Sequence, residues 1–120
     1  MPTASDNLKG WLSQTREIEL TVTGRKSGRA ISNPVWFVLE GDRLYLLPVS
    51  GSQTQWYKNV LAKPSIRIRN NSSQADLAVT TITDAARVSS IVDQFRSKYG
   101  ADNVRKYYSG LDVAVTAELR

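Results

Sequence analysis

The chain has no cysteine and no histidine. Without cysteine there is no disulfide framework, no thiolate metal site and no thiol nucleophile. Without histidine, the usual general base at neutral pH, the commonest metal ligand and every histidine-based triad are missing. A hydrolase would need another apparatus, and the residues offer none. No metal site is expected. No apolar run approaches the length of a membrane span, and the opening MPTASDNLKGW has no apolar core of a signal peptide. The expected compartment is the cytoplasm. There is no internal repeat, no low-complexity tract, and neither a GxGxxG nor a Walker sequence.

What is present is a chain of 120 residues, 41% of them hydrophobic, with charge interspersed. That length suits one domain, residues 1–120, with a modest core. Residues 1–5 are expected to be disordered. The net charge of +5 favours an anionic ligand, a nucleic acid or an acidic membrane surface.

The central stretch runs from Glu19 to Phe37. Leu20 and Val22 alternate with polar neighbours, the period of a half-buried strand. Gly24 and Gly28 then bracket Arg25, Lys26 and Ser27, with Arg29 just beyond. Glycines permit positive φ and close backbone approach. Two cations, a hydroxyl and turn amides suit a phosphate or carboxylate. The competing reading is a solvated hairpin tip carrying charge for solubility.

The spacing predicts a short helix over Asp6 to Leu12, then strands over Arg16–Thr23, Ala30–Leu39 and Arg43–Val49. Gly41-Asp42 reads as a tight turn, so these three strands form a meander. Ser50-Gly51-Ser52 breaks the pattern before a helix over Gln53–Ala62, which Pro64 ends. Strands follow over Ser65–Arg69 and Ala75–Thr83, separated by a turn at Asn70 to Ser73. In the longest helix, residues 84–99, Val88, Ile91, Val92, Phe95 and Tyr99 form one apolar stripe. A shorter helix through Val104–Tyr108 and a strand over Leu111–Leu119 complete the order β-β-β-α-β-β-α-β. The expected fold is mainly β: a six-stranded antiparallel barrel with the long helix across one opening.

TVTGRKSGR, then NPVWFVLEGDRLYLL, a Ser-Gly turn and WYKNVLAKPSIRIR together resemble the deazaflavin-dependent nitroreductase family. That family lies within the split β-barrel superfamily of flavin and deazaflavin binders. The resemblance covers about Ile18 to Leu119. It implies a hydride-transferring oxidoreductase that uses reduced deazaflavin (coenzyme F420) and a small acceptor such as a nitro-compound, quinone or enone, often as a homodimer. Carried over by position, Arg25, Lys26, Ser27 and Gly28 would hold the cofactor's anionic tail, and Pro34, Val35 and Trp36 would lie along its ring. Ser50 and Gly51 would occupy the second anion-binding loop. Trp56, Tyr57 and Asn59 would wall the site or pack beneath it. The loop Pro48-Val49-Ser50-Gly51-Ser52 departs from the family's pattern in being shorter and without its lysine. An FMN-binding oxidoreductase or a non-catalytic cofactor carrier is therefore the alternative.

The same residues also have readings that need no family. Ser50-Gly51-Ser52 before a helix is either an anion site or a plain serine cap. Trp56 and Tyr57 suit a core equally well. Asn59 suits a bond to a nearby backbone group. Tyr107 and Tyr108 are the candidates for a catalytic hydroxyl, or else pack the last helix on the barrel. An alternative of another class is a basic nucleic-acid-binding barrel using Arg25, Lys26, Arg29, Arg67, Arg69, Arg105 and Lys106, with acidic residues interrupting the series.

Overall fold

The computed structural model describes residues 10, 12, 13, 15–70 and 73–119. Gly10 and Leu12 are helical. The rest of the expected first helix, residues 1–5, and Asn71 and Ser72 of the expected turn lie outside the described residues.

Seven strands are present among the described residues: β1 Ile18–Thr23, β2 Ala30–Val35, β3 Phe37–Glu40, β4 Arg43–Leu46, β5 Ser65–Asn70, β6 Ser73–Ile82 and β7 Ala114–Glu118. Three α-helices accompany them among the described residues: α1 Gln55–Ala62, α2 Ala85–Tyr99 and α3 Ala101–Tyr107. The strands form one antiparallel sheet in the order β2-β1-β5-β6-β7-β4-β3. Its outermost strands, β2 and β3, are separated only by Trp36, so the sheet must curl until its edges meet there. The count is seven rather than six because Ala30–Leu39 breaks at Trp36. The first part, β2, pairs with β1 and the second, β3, with β4. β6 does the same across the sheet, pairing with β5 through Ser73–Ala78 and with β7 through Val79–Ile82. The two halves of the half-barrel join at these long runs.

The registers line up the inner face. Leu20 opposes Ile68; Val79 opposes Ala117, which opposes Leu44, which opposes Leu39; Val115 opposes Leu46, which opposes Phe37. These side chains join Trp56, Tyr57 and Val60 of α1 in the inner core. On the β1–β2–β5 half the outer face is polar and tied by cross-strand pairs: Arg69 with Glu19 at 2.7 Å, Arg67 with Asp76 at 2.7 Å, and the hydroxyls of Thr21 and Ser32 at 2.7 Å.

The other half is apolar on both faces. Val38, Tyr45, Ile82 and Ala114 point away from the inner core, and α2 covers them with Val88, Ile91, Val92, Phe95 and Tyr99. The expected stripe is thus buried, yet the helix lies against the outside of β3, β4 and β7 rather than across an opening. The physical cause is the unbroken apolar run through Leu44 to Leu47, which buries strand residues on both sides. Asp84 caps α2 by accepting from the Arg87 amide at 2.9 Å.

Candidate functional site: an aromatic cleft and a basic turn on one exposed strand

The cleft forms where the sheet edges meet. Pro34 and Val35 end β2 and Trp36 makes the corner. Leu47 and Val49 follow β4, Tyr107 and Tyr108 end α3, and Glu17 precedes β1. Together they line a cleft of about 380 Å³. Trp36 stacks on Tyr99 with ring centroids 4.3 Å apart and 5° between planes. Tyr107 meets it edge-on at 5.5 Å and 80°, and Tyr108 lies tilted at 6.1 Å. The Tyr99 hydroxyl fastens the chain around Trp36. It accepts from the Phe37 amide at 3.1 Å and has the carbonyls of Arg16 at 2.6 Å and Phe37 at 3.0 Å as acceptors. Lys98 also donates to the Phe37 carbonyl, at 2.8 Å, over the Phe37 ring. Burial, and then the charge of Arg16, bring its amine down to about 8.

The two cleft tyrosines differ. Tyr108 is buried, and burial first and Tyr99 second push its hydroxyl well above the usual tyrosine value, so it stays protonated at neutral pH. Tyr107 is 54% exposed and Val49 45%, so two large apolar side chains stand on the cleft's lip without full cover.

The basic turn lies at the far end of β2. The Gly24 amide donates to the Arg29 carbonyl and the Gly28 amide to the Gly24 carbonyl, both at 2.8 Å. Gly28 has φ of 72°, which a side chain would strain. Asn59 of α1, itself buried, holds the turn. Its Oδ1 accepts from the Arg25 amide at 3.1 Å and the Arg25 guanidinium at 2.8 Å. Arg25 also donates to Gln55 Oε1 at 3.0 Å. Both acceptors are neutral. Arg25, Lys26 and Arg29 form no ion pair among the described residues, so their charge is uncompensated.

In the second loop, Gly51 takes φ of 58° and opens a 3-10 turn, Gly51–Gln53. Its donors face Asp112, whose carboxylate accepts from the Ser52 amide at 2.9 Å and the Ser52 hydroxyl at 2.7 Å. Those bonds hold the Asp112 carboxyl below its usual range, the hydroxyl contributing most. A Cβ on Gly51 would run into Asp112. The Ser50 amide donates to Thr54 Oγ1 at 2.8 Å, and Ser109 donates its amide to the Val49 carbonyl at 2.7 Å.

The chain belongs to the family described as "uncharacterized protein conserved in bacteria (DUF2255)", matched over residues 10–119. Solved structures supply the fold. An F420-H2-dependent reductase has a TM-score of 0.64 at 19% identity, over 86% of this chain and 94% of that one. A candidate pyridoxamine 5′-phosphate oxidase from Listeria innocua has 0.69 at 14%, over 97% and 92%. The heme storage protein HutZ from Vibrio cholerae has 0.67 at 11%, over 98% and 89%. At these identities the likeness shows the fold alone, a split β-barrel.

In this family member the expected site residues fall into four places. Pro34, Val35, Trp36, Tyr107 and Tyr108 meet at the cleft. Arg25, Lys26, Ser27 and Gly28 stand at the other end of β2, six residues or roughly 20 Å away along a strand. Asn59 supports that turn from beneath, while Trp56 and Tyr57 are in the inner core and away from the cleft lining. Ser50 and Gly51 are in the loop beside Asp112. Of the residues named for nucleic acid, Arg67, Arg69 and Arg105 are each paired with a carboxylate. The residues missed from sequence are Glu17, Leu47, Val49 and Asp112. Leu47 and Val49 extend the apolar run past β4, a signal open to reading. Glu17 and Asp112 carry no local signal, since only folding brings them to the cleft and the loop. No group of metal-ligating side chains occurs among the described residues, nor is any helix long and apolar enough to cross a membrane.

Proposed function

We propose that the chain is a split-barrel oxidoreductase that binds coenzyme F420 and serves hydride transfer to a small organic acceptor such as a nitro-compound, quinone or enone. The supporting observation is that an uncompensated basic turn and an aromatic cleft occupy opposite ends of one exposed strand, β2. An elongated cofactor with an anionic tail and a flat ring matches that spacing. When bound, the deazaflavin supplies the hydride chemistry, for which the chain has neither histidine nor cysteine. Arg25 and Lys26, with the Ser27 hydroxyl, hold the tail. Pro34, Val35 and Trp36 give the ring a dry wall. The hydroxyl of Tyr107, an exposed residue, would exchange a proton with an acceptor at the cleft mouth.

FMN is the second reading, and Asp112 favours it. By occupying Ser52, it leaves the basic turn as the anion site, which suits a single terminal phosphate. A cofactor carrier without turnover would use the same contacts.

The test is fluorescence titration of wild type, Arg25→Ala, Lys26→Ala and Arg69→Ala with F420 and with FMN. Charge-assisted hydrogen bonds contribute roughly 1.5–3 kcal/mol, so each turn variant should weaken binding by about 10- to 100-fold. Arg69→Ala, on β5 and outside the basic turn, should change it little. Lys26→Ala is the cleaner probe, because Arg25 also ties the turn to α1. Equal affinity of wild type and both turn variants would reject the turn as the anion site. Oligonucleotide binding weakened alike by Arg25→Ala and Arg69→Ala would favour the nucleic-acid reading instead.

A further inference from the structure

The cleft has one charged wall. Among its described lining residues, Glu17 alone carries a formal charge. It forms no ion pair among the described residues. Glu17 and Pro34 also line an adjoining polar groove of about 520 Å³ that includes Glu19 and Arg69. There Arg69 is neutralised by Glu19 at 2.7 Å. The residues lining the two hollows therefore carry one net negative charge, on a chain whose net charge is +5.

The rest of the cleft reinforces that sign. Trp36 and Tyr107 meet at 80° and Trp36 and Tyr108 at 52°, and all three rings line the cleft. Angled aromatic faces attract a cation through their quadrupoles, and most strongly where water is displaced. Arg16, Lys98 and Lys106 lie near these rings, but none of them lines the cleft. The Arg16 guanidinium sits 5.1 Å from the Tyr99 ring centroid and donates to the Lys98 carbonyl, and Lys98 is held on Phe37. Lys106 lies 5.3 Å from the Tyr107 ring centroid and does not line the cleft.

We propose that the cleft selects a planar organic cation, with Glu17 as the specificity-determining carboxylate and Trp36, Tyr107 and Tyr108 as the aromatic walls. The inference rests on the proposed function, in which the acceptor meets the cofactor ring at the mouth of this cleft, and it assigns the acceptor class: cationic heteroaromatics over neutral or anionic rings of the same size. A carboxylate acceptor would meet the same charge at close range in a partly dry hollow and be turned away.

The experiment is isothermal titration of the chain, without added cofactor, with N-methylquinolinium, quinoline and naphthoate at neutral pH. Wild type should bind the cation roughly 10-fold more tightly than quinoline, and naphthoate more weakly than both. Glu17→Gln, an isosteric change at an exposed position, should reduce the cation's advantage by roughly 3- to 10-fold and leave quinoline unchanged. Added salt should erode the same advantage. Equal affinity for cation and neutral ring, no binding of any probe, or a preference untouched in Glu17→Gln would each overturn the proposal. Arg67→Ala, paired with Asp76 and lining neither hollow, should keep the preference when titrated in parallel. Flavin binding without charge selection therefore fails this inference alone, and charge selection without flavin binding fails only the cofactor reading.

Discussion

Asn59 joins three levels of the structure through one atom. It is 4% exposed, and its Oδ1 accepts from both the backbone and the side chain of Arg25. Asn59→Ala leaves the Arg25 amide without its partner and should cost about 1–3 kcal/mol, read as a lower urea midpoint. The same variant should loosen the turn and weaken anion binding, so both effects should appear together. Asp112 supplies a pH test. Its folded pKa is depressed by Ser52, so its stabilisation is present above the ordinary carboxylate range and is lost as pH falls through the folded value. At neutral pH, Asp112→Asn should be less stable by about 1 kcal/mol, since the pair is exposed and screened. The difference from wild type should shrink in acid, as thermal melts across that range would show; a gap that is the same at every pH would count against it. Thr116 makes the opposite case. Its buried hydroxyl has no hydrogen-bond partner, so the isosteric Thr116→Val should leave the midpoint unchanged or raise it.

Among the elements, α2 and β2 contrast most. Phe95 is fully buried at the centre of the α2 stripe, touching Tyr99 and Tyr108 by ring contacts near 6.0 Å. Phe95→Ala should cost about 3–5 kcal/mol, much of the stability of a chain this size. Because α2 supports Tyr99, and Tyr99 supports Trp36, the same change should also blunt ligand binding at the cleft. An unchanged denaturation midpoint would show that α2 is dispensable to the core. β2 has no such protection: Ala30 to Pro34 are all exposed, held by β1 on one edge alone. A strand so bare on both faces keeps its place through register and through Trp36, where the chain passes to β3.

At the scale of the molecule, the uncovered lip at Val49 and Tyr107 borders the cleft, and the bare β2 runs away from it toward the basic turn. An exposed sheet edge is an available surface for a second chain, and a symmetric dimer is the commonest assembly. The expected homodimer would cover this lip and shelter the acceptor. Sedimentation at micromolar concentration should give a dimer, and Ile31→Glu, placing a charge on the exposed strand, should shift it toward monomer. Sedimentation showing only monomer for wild type would rule this arrangement out.

Period and punctuation were enough to place most elements. Alternation at Leu20 and Val22, the turn at Gly41-Asp42, the stop at Pro64 and the stripe from Val88 to Tyr99 are local signals, and the segments they mark are strands and helices in the structure. The spacing of GRKSG and Pro-Val-Trp also put both ends of the proposed site on one strand, because a strand converts sequence separation into distance directly. What folding alone decided depends on contacts between distant residues. Trp36 breaks a run that reads as continuous because its ring and the adjoining backbone are captured by Tyr99, more than sixty positions on. α2 lies outside the barrel because two-sided burial of β4 outweighed closure of an end. Asp112 reaches Ser52 across sixty residues, and Glu17 comes to Tyr107 only when the sheet curls. Local pattern specifies which face of an element is apolar; only the assembled chain determines which charge faces which cleft.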